Sequence, residues 1–333
     1  MKISIIIPVY NVERYVERCL ASVMAQECEC EIECLIINDQ TPDNSMGIIS
    51  RLLNAYDGRI DFKIISHECN KGLSGARNTG INASSGDYLF FLDSDDELPH
   101  DSMQALSSMA HRYCGVDVVF GNICSDIPQY RYLNLAQYGF PEYSDDRKWI
   151  QKHLVGDVPV TGCNWLVNKG FLIQHGLMFK PGIMHEDEHW RFMASRHIRS
   201  VAFCLTPTYI YHLNGESLTH QKFKDRSFRS HLAIFRDYLP VITDVHQYSR
   251  VLTYVYRLTR RLGELRDPET FMADYAKFLN ECLAAPYIPR SVKPAIRYMQ
   301  DRKFKWRILS RMFCWRSNGI IRHFDRTDAG NDR

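Results

Sequence analysis

Asp93, Asp95 and Asp96 stand within four residues of one another, directly after the apolar run Tyr88-Leu89-Phe90-Phe91-Leu92. Such a run reads as a buried strand, and carboxylates crowded at its end repel one another. A hard divalent cation relieves that repulsion. Mg2+ or Mn2+ takes oxygen ligands and commonly bridges one or two carboxylates to a substrate diphosphate. The plainer reading is an acidic turn that caps the next helix, because Asp and Ser favour such positions. The rest of the chain decides between the two.

Four strand-like runs come first, at residues 3–9, 32–38, 60–66 and 88–92. Pro8 falls near the end of the first, where a missing N–H is tolerated. Between the runs lie helical patterns. Asn11 is placed to cap a helix whose Val12, Val16, Leu20 and Val23 share one face. Ile48, Ile49, Leu52, Leu53 and Tyr56 mark a second helix, and the loop Asn70-Lys71-Gly72-Leu73-Ser74-Gly75 runs into a third. This alternation predicts a mostly parallel α/β sheet flanked by helices. Ligands bind such sheets at the carboxyl ends of the strands, near a topological switch point. Tyr10 and Asn11 follow the first strand, Asp39 the second, and Asp93 to Asp95 the fourth. The polar residues therefore converge on one site. Arg77 could hydrogen-bond a base or phosphate there, or be a solvated helix arginine.

Further on, residues 116–122 suggest another strand, and residues 145–154, 251–262 and 271–283 read as helices. His185-Glu186-Asp187-Glu188-His189-Trp190 opens a helix whose N-terminus favours the acids. Tyr209-Ile210-Tyr211-His212 ends a strand-like run, and a polar loop with Ser217 follows.

Several function classes lack their signatures. G-x-x-x-x-G-K-[ST] is missing, as is a G-x-G-x-x-G after the first strand. H-E-x-x-H and paired C-x2-C units are absent, which argues against zinc. The eleven cysteines are scattered, and all are expected to be reduced thiols in a cytoplasmic protein. No apolar run reaches the length of a membrane span, and the N-terminal run reads as a strand rather than a signal peptide.

Charge divides the chain. Residues 1–220 hold 18 Lys and Arg against 27 Asp and Glu, a balance of −9, whereas residues 221–333 hold 23 against 12, a balance of +11. Within the second part, residues 293–322 carry nine Lys and Arg and a single acid, Asp301. Phe304, Ile308, Leu309, Met312, Phe313 and Trp315 could share a helix face there. That basic amphipathic pattern suits an anionic membrane surface; the alternative is a helix packed on the protein with a solvated basic face. No nucleic-acid reader motif accompanies it, so nucleic acid is not an expected partner.

Pro8-Val9-Tyr10-Asn11, Asn38-Asp39, Asn70-Lys71-Gly72, Ala76-Arg77-Asn78, Phe91-Leu92-Asp93-Ser94-Asp95-Asp96 and Glu186-Asp187 occur in this order. In them the chain resembles the family 2 glycosyltransferases, inverting enzymes of the GT-A fold that build bacterial polysaccharides. The resemblance covers about residues 1–220, as a catalytic domain, and leaves residues 221–333 as a helical region that associates with a membrane or partner. It implies a hexosyl- or N-acetylhexosaminyl-transferase that takes a nucleotide-sugar donor, expected to be a UDP-sugar. The acceptor would be a hydroxyl of a glycan or lipid-linked molecule, and the protein would be cytoplasmic or peripheral on the inner face of the cell membrane.

The resemblance also implies roles. Pro8, Tyr10, Asp39 and Arg77 would surround the base, with Asn11, Asn70, Gly72 and Ser94 completing the nucleotide pocket. Asp93 would lie near the ribose, and Asp95, with Asp93, would hold Mg2+ or Mn2+. Asp187 would be the general base, with Glu186 beside it. His212 stands where relatives carry a phosphate-binding arginine, with Ser217 after it, so its role is open between phosphate donor, metal ligand and neither. Gln40-Thr41-Pro42 replaces the usual Gly-Ser-Thr. Two other readings are a sugar nucleotidyltransferase, whose Gly-rich N-terminal signature is absent, and a non-catalytic carbohydrate-binding relative, against which Asp39, Asp93, Asp95 and Asp187 speak.

Overall fold

The computed structural model describes residues 1–125, 133–156, 158, 161–212, 224–242 and 267–285, with isolated positions between 258 and 297. Eight strands form one sheet in the order β3-β2-β1-β4-β7-β5-β8-β6. They are β1 (Lys2–Val9), β2 (Glu31–Asn38), β3 (Asp61–Ser66), β4 (Tyr88–Phe91), β5 (Val118–Cys124), β6 (Tyr143–Ser144), β7 (Trp165–Asn168) and β8 (Val201–Ile210). The pairs β1–β2, β2–β3, β1–β4 and β5–β8 are parallel, and β7 inserts antiparallel between β4 and β5.

Alternation along β1 explains its continuous apolar run. Ile3, Ile5, Ile7 and Val9 pack on one face with Val16, Leu20 and Val23 of α1 (Val16–Met24). Ile6 packs on the other face with Ala76 and Ile81 of α3 (Gly72–Ala83). A strand covered on both sides has no polar face to show. The approach of α3 is close. A β-carbon at Gly80 would lie 2.4 Å from Ile6 Cγ2, so only glycine fits there. The remaining helices of this unit are α2 (Ser45–Ala55), α4 (Ser102–Arg112), α5 (Arg147–Gly156), α6 (Lys169–Gln174) and α7 (Glu186–Ser195).

Two expectations are corrected here. Asn11 does not cap α1: it takes a left-handed φ of +56°, and the helix begins five residues later at Val16. Cys28 and Cys30 are joined by a disulfide rather than standing as free thiols.

Residues 1–182 and 186–221 form one compact unit; residues 183–185 and 222–333 form another. In the second, α8 (Lys224–Tyr238) packs on α9 (Glu269–Ala284). Phe228 meets Phe271 edge-on with ring centres 5.4 Å apart, and Arg236 Nε pairs with Glu281 Oε2 at 3.0 Å. The helix expected over residues 271–283 is α9. Ser217, the helix expected at 251–262 and the basic amphipathic segment lie outside the described residues, apart from isolated positions.

Candidate active site

The parallel register brings the strand ends level. Val9 pairs with Asn38, and Ile6 with Phe91, so the residues after β1, β2 and β4 share one edge. The sheet's order reverses about β1, which makes this edge the switch point. Tyr10 stands there with its side chain 49% exposed. Asn11 donates its N–H to Thr41 Oγ1 at 2.7 Å, which ties the first loop to the second. Gln40, at the position where the resemblance expects glycine, holds a left-handed φ of +56°. Strained backbone of this kind persists where its surroundings fix it. Thr41 is one such fixture, with its N–H on Asn38 Oδ1.

Asp39 lies beneath these loops. Its Oδ1 accepts from His67 Nδ1 and from the Lys71 N–H, both at 2.7 Å, and its Oδ2 accepts from the Gly72 N–H at 2.8 Å. The side chain is 3% exposed. Asp39 thereby holds the turn into α3, where Gly72 needs its positive φ of +74°. Asn70 braces the same turn through its Oδ1, which accepts from the Gly72 N–H. Pro8 is buried within β1, and Ser94 is buried in the acidic turn.

The acidic turn resolves its own repulsion residue by residue. Asp93 Oδ1 accepts from Arg77 Nη2 at 2.8 Å. Asp96 turns inward, where Oδ2 accepts from the Tyr209 hydroxyl at 2.7 Å and Oδ1 from the His212 N–H at 2.8 Å. The same Tyr209 hydroxyl accepts from the Asp93 N–H. Arg18, on α1, donates to the Asp95 carbonyl and pairs with Glu97 through Nε at 2.8 Å. Burial, and then the charges of Asp95 and Asp93, push Asp96 up to about 8. That rise favours the protonated form of Asp96 and so relieves part of the repulsion within the turn.

The hard oxygen donors of Asp95 and Asp93 fit a divalent cation. Among the described residues no group of three or more His, Cys, Asp or Glu side chains encloses a metal by itself. The fit is to an ion that draws most of its ligands from a diphosphate and water, as Mg2+ does. His212 lies at the margin of this turn. Its Nε2 approaches Glu97 Oε1 at 2.6 Å without hydrogen-bond alignment.

Arg77 is buried, at 2% exposure, rather than a solvated helix arginine. Its Nη1 donates to Glu186 Oε1 at 2.9 Å while Nη2 holds Asp93. Gly162 makes room for the guanidinium: a β-carbon there would come within 2.7 Å of Nη1. Burial works against the charge, but Asp93 and Glu186 hold it above the ordinary guanidinium range. One side chain thus joins the end of β4 to the start of α7.

Asp187 follows in the first turn of α7, partly buried, with Oδ1 accepting from the Glu188 N–H at 2.8 Å. Burial, followed by the charges of Glu186 and Glu188, pushes it up to about 7, against the pull of Arg77 and that N–H. A carboxylate so placed can take a proton near neutral pH. Glu186, beside it, is paired with Arg77.

The sequence reading misses His67, Tyr209, Arg18 and Gly162. His67 follows β3 directly, so the strand-end rule that singles out Asp39 also reaches it. Tyr209 and Gly162 matter through long-range contacts and leave no local signal.

The family model for Glycosyl transferase family 2 matches residues 4–175. EpsH of Bacillus subtilis (strain 168) is 31% identical over 241 residues, covering 70% of this chain and 67% of that protein. Staphylococcus aureus TarS 1–349 in complex with UDP-GlcNAc superposes with a TM-score of 0.65 at 16% identity, over 90% of this chain and 87% of that one. The Pyrobaculum calidifontis mannosyltransferase PcManGT, in complex with GDP-Man and Mn2+, gives 0.54 at 14% identity, over 97% and 87%. The structural likenesses show a shared GT-A sheet. With more than half of the sequence matched, this chain belongs to glycosyl transferase family 2.

Proposed function

We propose that the protein transfers a sugar, with inversion, from a UDP-sugar to a hydroxyl of a glycan or lipid-linked acceptor. One observation carries the reading: Arg77 binds Asp93 and Glu186 together, so the acidic turn and the Asp187 carboxylate belong to one site. The UDP-GlcNAc bound by TarS and the GDP-Man and Mn2+ bound by PcManGT support a nucleotide-sugar donor and a divalent ion for this fold.

Each residue then has a task. The exposed ring of Tyr10 offers a stacking face for the base, and the loops held by Asp39, Asn70 and Gly72 wall the nucleotide. Asp93 keeps one oxygen toward the ribose while Arg77 fixes the other. Asp95, with Asp93, would hold Mg2+ or Mn2+, which would neutralise charge developing on the departing diphosphate. His212 would flank the diphosphate side. Asp187 takes the proton from the acceptor hydroxyl as it attacks the anomeric carbon, a contribution of roughly 10²–10⁴-fold. A single base and one displacement invert the centre, without the second, nucleophilic carboxylate of retaining enzymes. The basic segment at 293–322 would dock residues 221–333 on an anionic membrane beside a lipid-linked acceptor.

Calorimetric titration with UDP, with and without Mn2+, tests the site. We expect Mn2+-dependent binding to the wild type and its loss in Asp95→Ala. Equal UDP binding by both proteins, or none by the wild type, contradicts the reading.

A further inference from the structure

Residues 183–185 lead directly into Glu186 and Asp187, yet they cluster with the C-terminal helices. The Met184 N–H donates to Ser230 Oγ of α8 at 2.9 Å. His185 Nε2 lies 2.9 Å from Ser227 Oγ, one turn away on the same helix. The His185 ring also packs on the His231 ring, with centres 4.4 Å apart. Ser230 and His231 are buried, at 4% and 2% exposure. Ser230 in turn donates to the Arg226 carbonyl at 2.8 Å, so its hydroxyl is oriented to accept from Met184.

The segment is also strained. His185 holds φ at +62°, and Gly182, at the other end, holds +77°. A left-handed histidine costs energy that its surroundings must offset. Here the offsetting contacts come from α8, which is itself fixed on α9 through Phe228 and Phe271. Supporting hydrogen bonds of this kind set how tightly a catalytic group is placed, and small displacements lower turnover steeply.

We propose that the Ser227–Ser230 edge of α8 is a positioning clamp for the catalytic carboxylate: it fixes residues 184 and 185, and through them the backbone from which Asp187 projects. The inference rests on the assignment of Asp187 as the base. It gives the C-terminal region a part in transfer that is separate from any membrane role.

The test compares full-length wild type, Ser230→Ala, Ser230→Thr and Ser227→Ala. Hydrogen exchange over residues 183–190 needs no substrate. Exchange should rise about tenfold or more in Ser230→Ala and return toward wild type in Ser230→Thr, which keeps the hydroxyl. UDP release is followed with UDP-glucose, UDP-galactose and UDP-GlcNAc in turn. For the donor used, kcat should fall about tenfold in both alanine variants, while the Kd for UDP stays within twofold. Unchanged exchange in Ser230→Ala, or UDP affinity falling together with kcat, overturns the clamp. Asp187→Asn, assayed alongside, separates the two ideas. Its loss of turnover beside a wild-type kcat in Ser230→Ala rejects the clamp and keeps the base; its full activity rejects the base.

Discussion

Arg77 shows how one buried cation can organise a site. It pairs with Asp93 and Glu186, which lie 16 and 109 residues away in sequence. Replacing it with methionine keeps the volume and strands both acids. Breaking a buried pair in this way costs about 3–5 kcal/mol, which urea unfolding of Arg77→Met will measure; a loss below about 1 kcal/mol contradicts the buried bridge. Proton affinity gives a second prediction at this scale. Asp187 acts as a base only when deprotonated, and its raised value moves that transition upward from the usual carboxylate range to about 7. The kcat should therefore climb with pH through the region near 7. An acid limb near the ordinary carboxylate range would contradict the assignment.

Elements deliver these residues to one edge. The ends of β1, β2 and β4 are legible in the sequence because each is a continuous apolar run with a polar residue just beyond it, and parallel pairing puts such ends together. The partners of those polar residues are not legible. Nothing local to Asp39 announces the two backbone N–H groups and the His67 ring from which it accepts. Asp96 reads like its neighbours, although Tyr209 draws it inward from 113 residues away. Helix boundaries show the same limit: Asn11 has the chemistry of a cap, but tertiary contact with Thr41 gives it a turn conformation instead. The fit of α3 against β1 yields a prediction for this scale. Gly80→Ala forces a methyl group onto Ile6, an overpacking that costs about 1–3 kcal/mol. Thermal unfolding will read this as a lowered Tm. An unchanged Tm would mean that the helix can shift without penalty.

At the scale of the whole molecule, charge separates two tasks. The acidic sheet unit suits a cation and a diphosphate, and the basic C-terminal region suits an anionic surface. Among the described residues no helix is long and apolar enough to cross a membrane. Sedimentation with vesicles containing anionic phospholipid should deplete the full chain and leave a protein lacking residues 290–333 in solution. Equal binding of both would remove the membrane role. Salt should weaken the binding, since exposed charges are screened within about 8–10 Å at moderate ionic strength.

The central claim is that Asp187 removes the acceptor's proton within a nucleotide-sugar site. Its most direct test is Asp187→Asn, measured for UDP binding in Mn2+ and for sugar transfer under the same conditions. The amide keeps the size of the carboxylate and loses its basicity. UDP affinity should match wild type while transfer falls by about 10²-fold or more. Transfer that persists at the wild-type rate, with UDP still bound, would contradict the account.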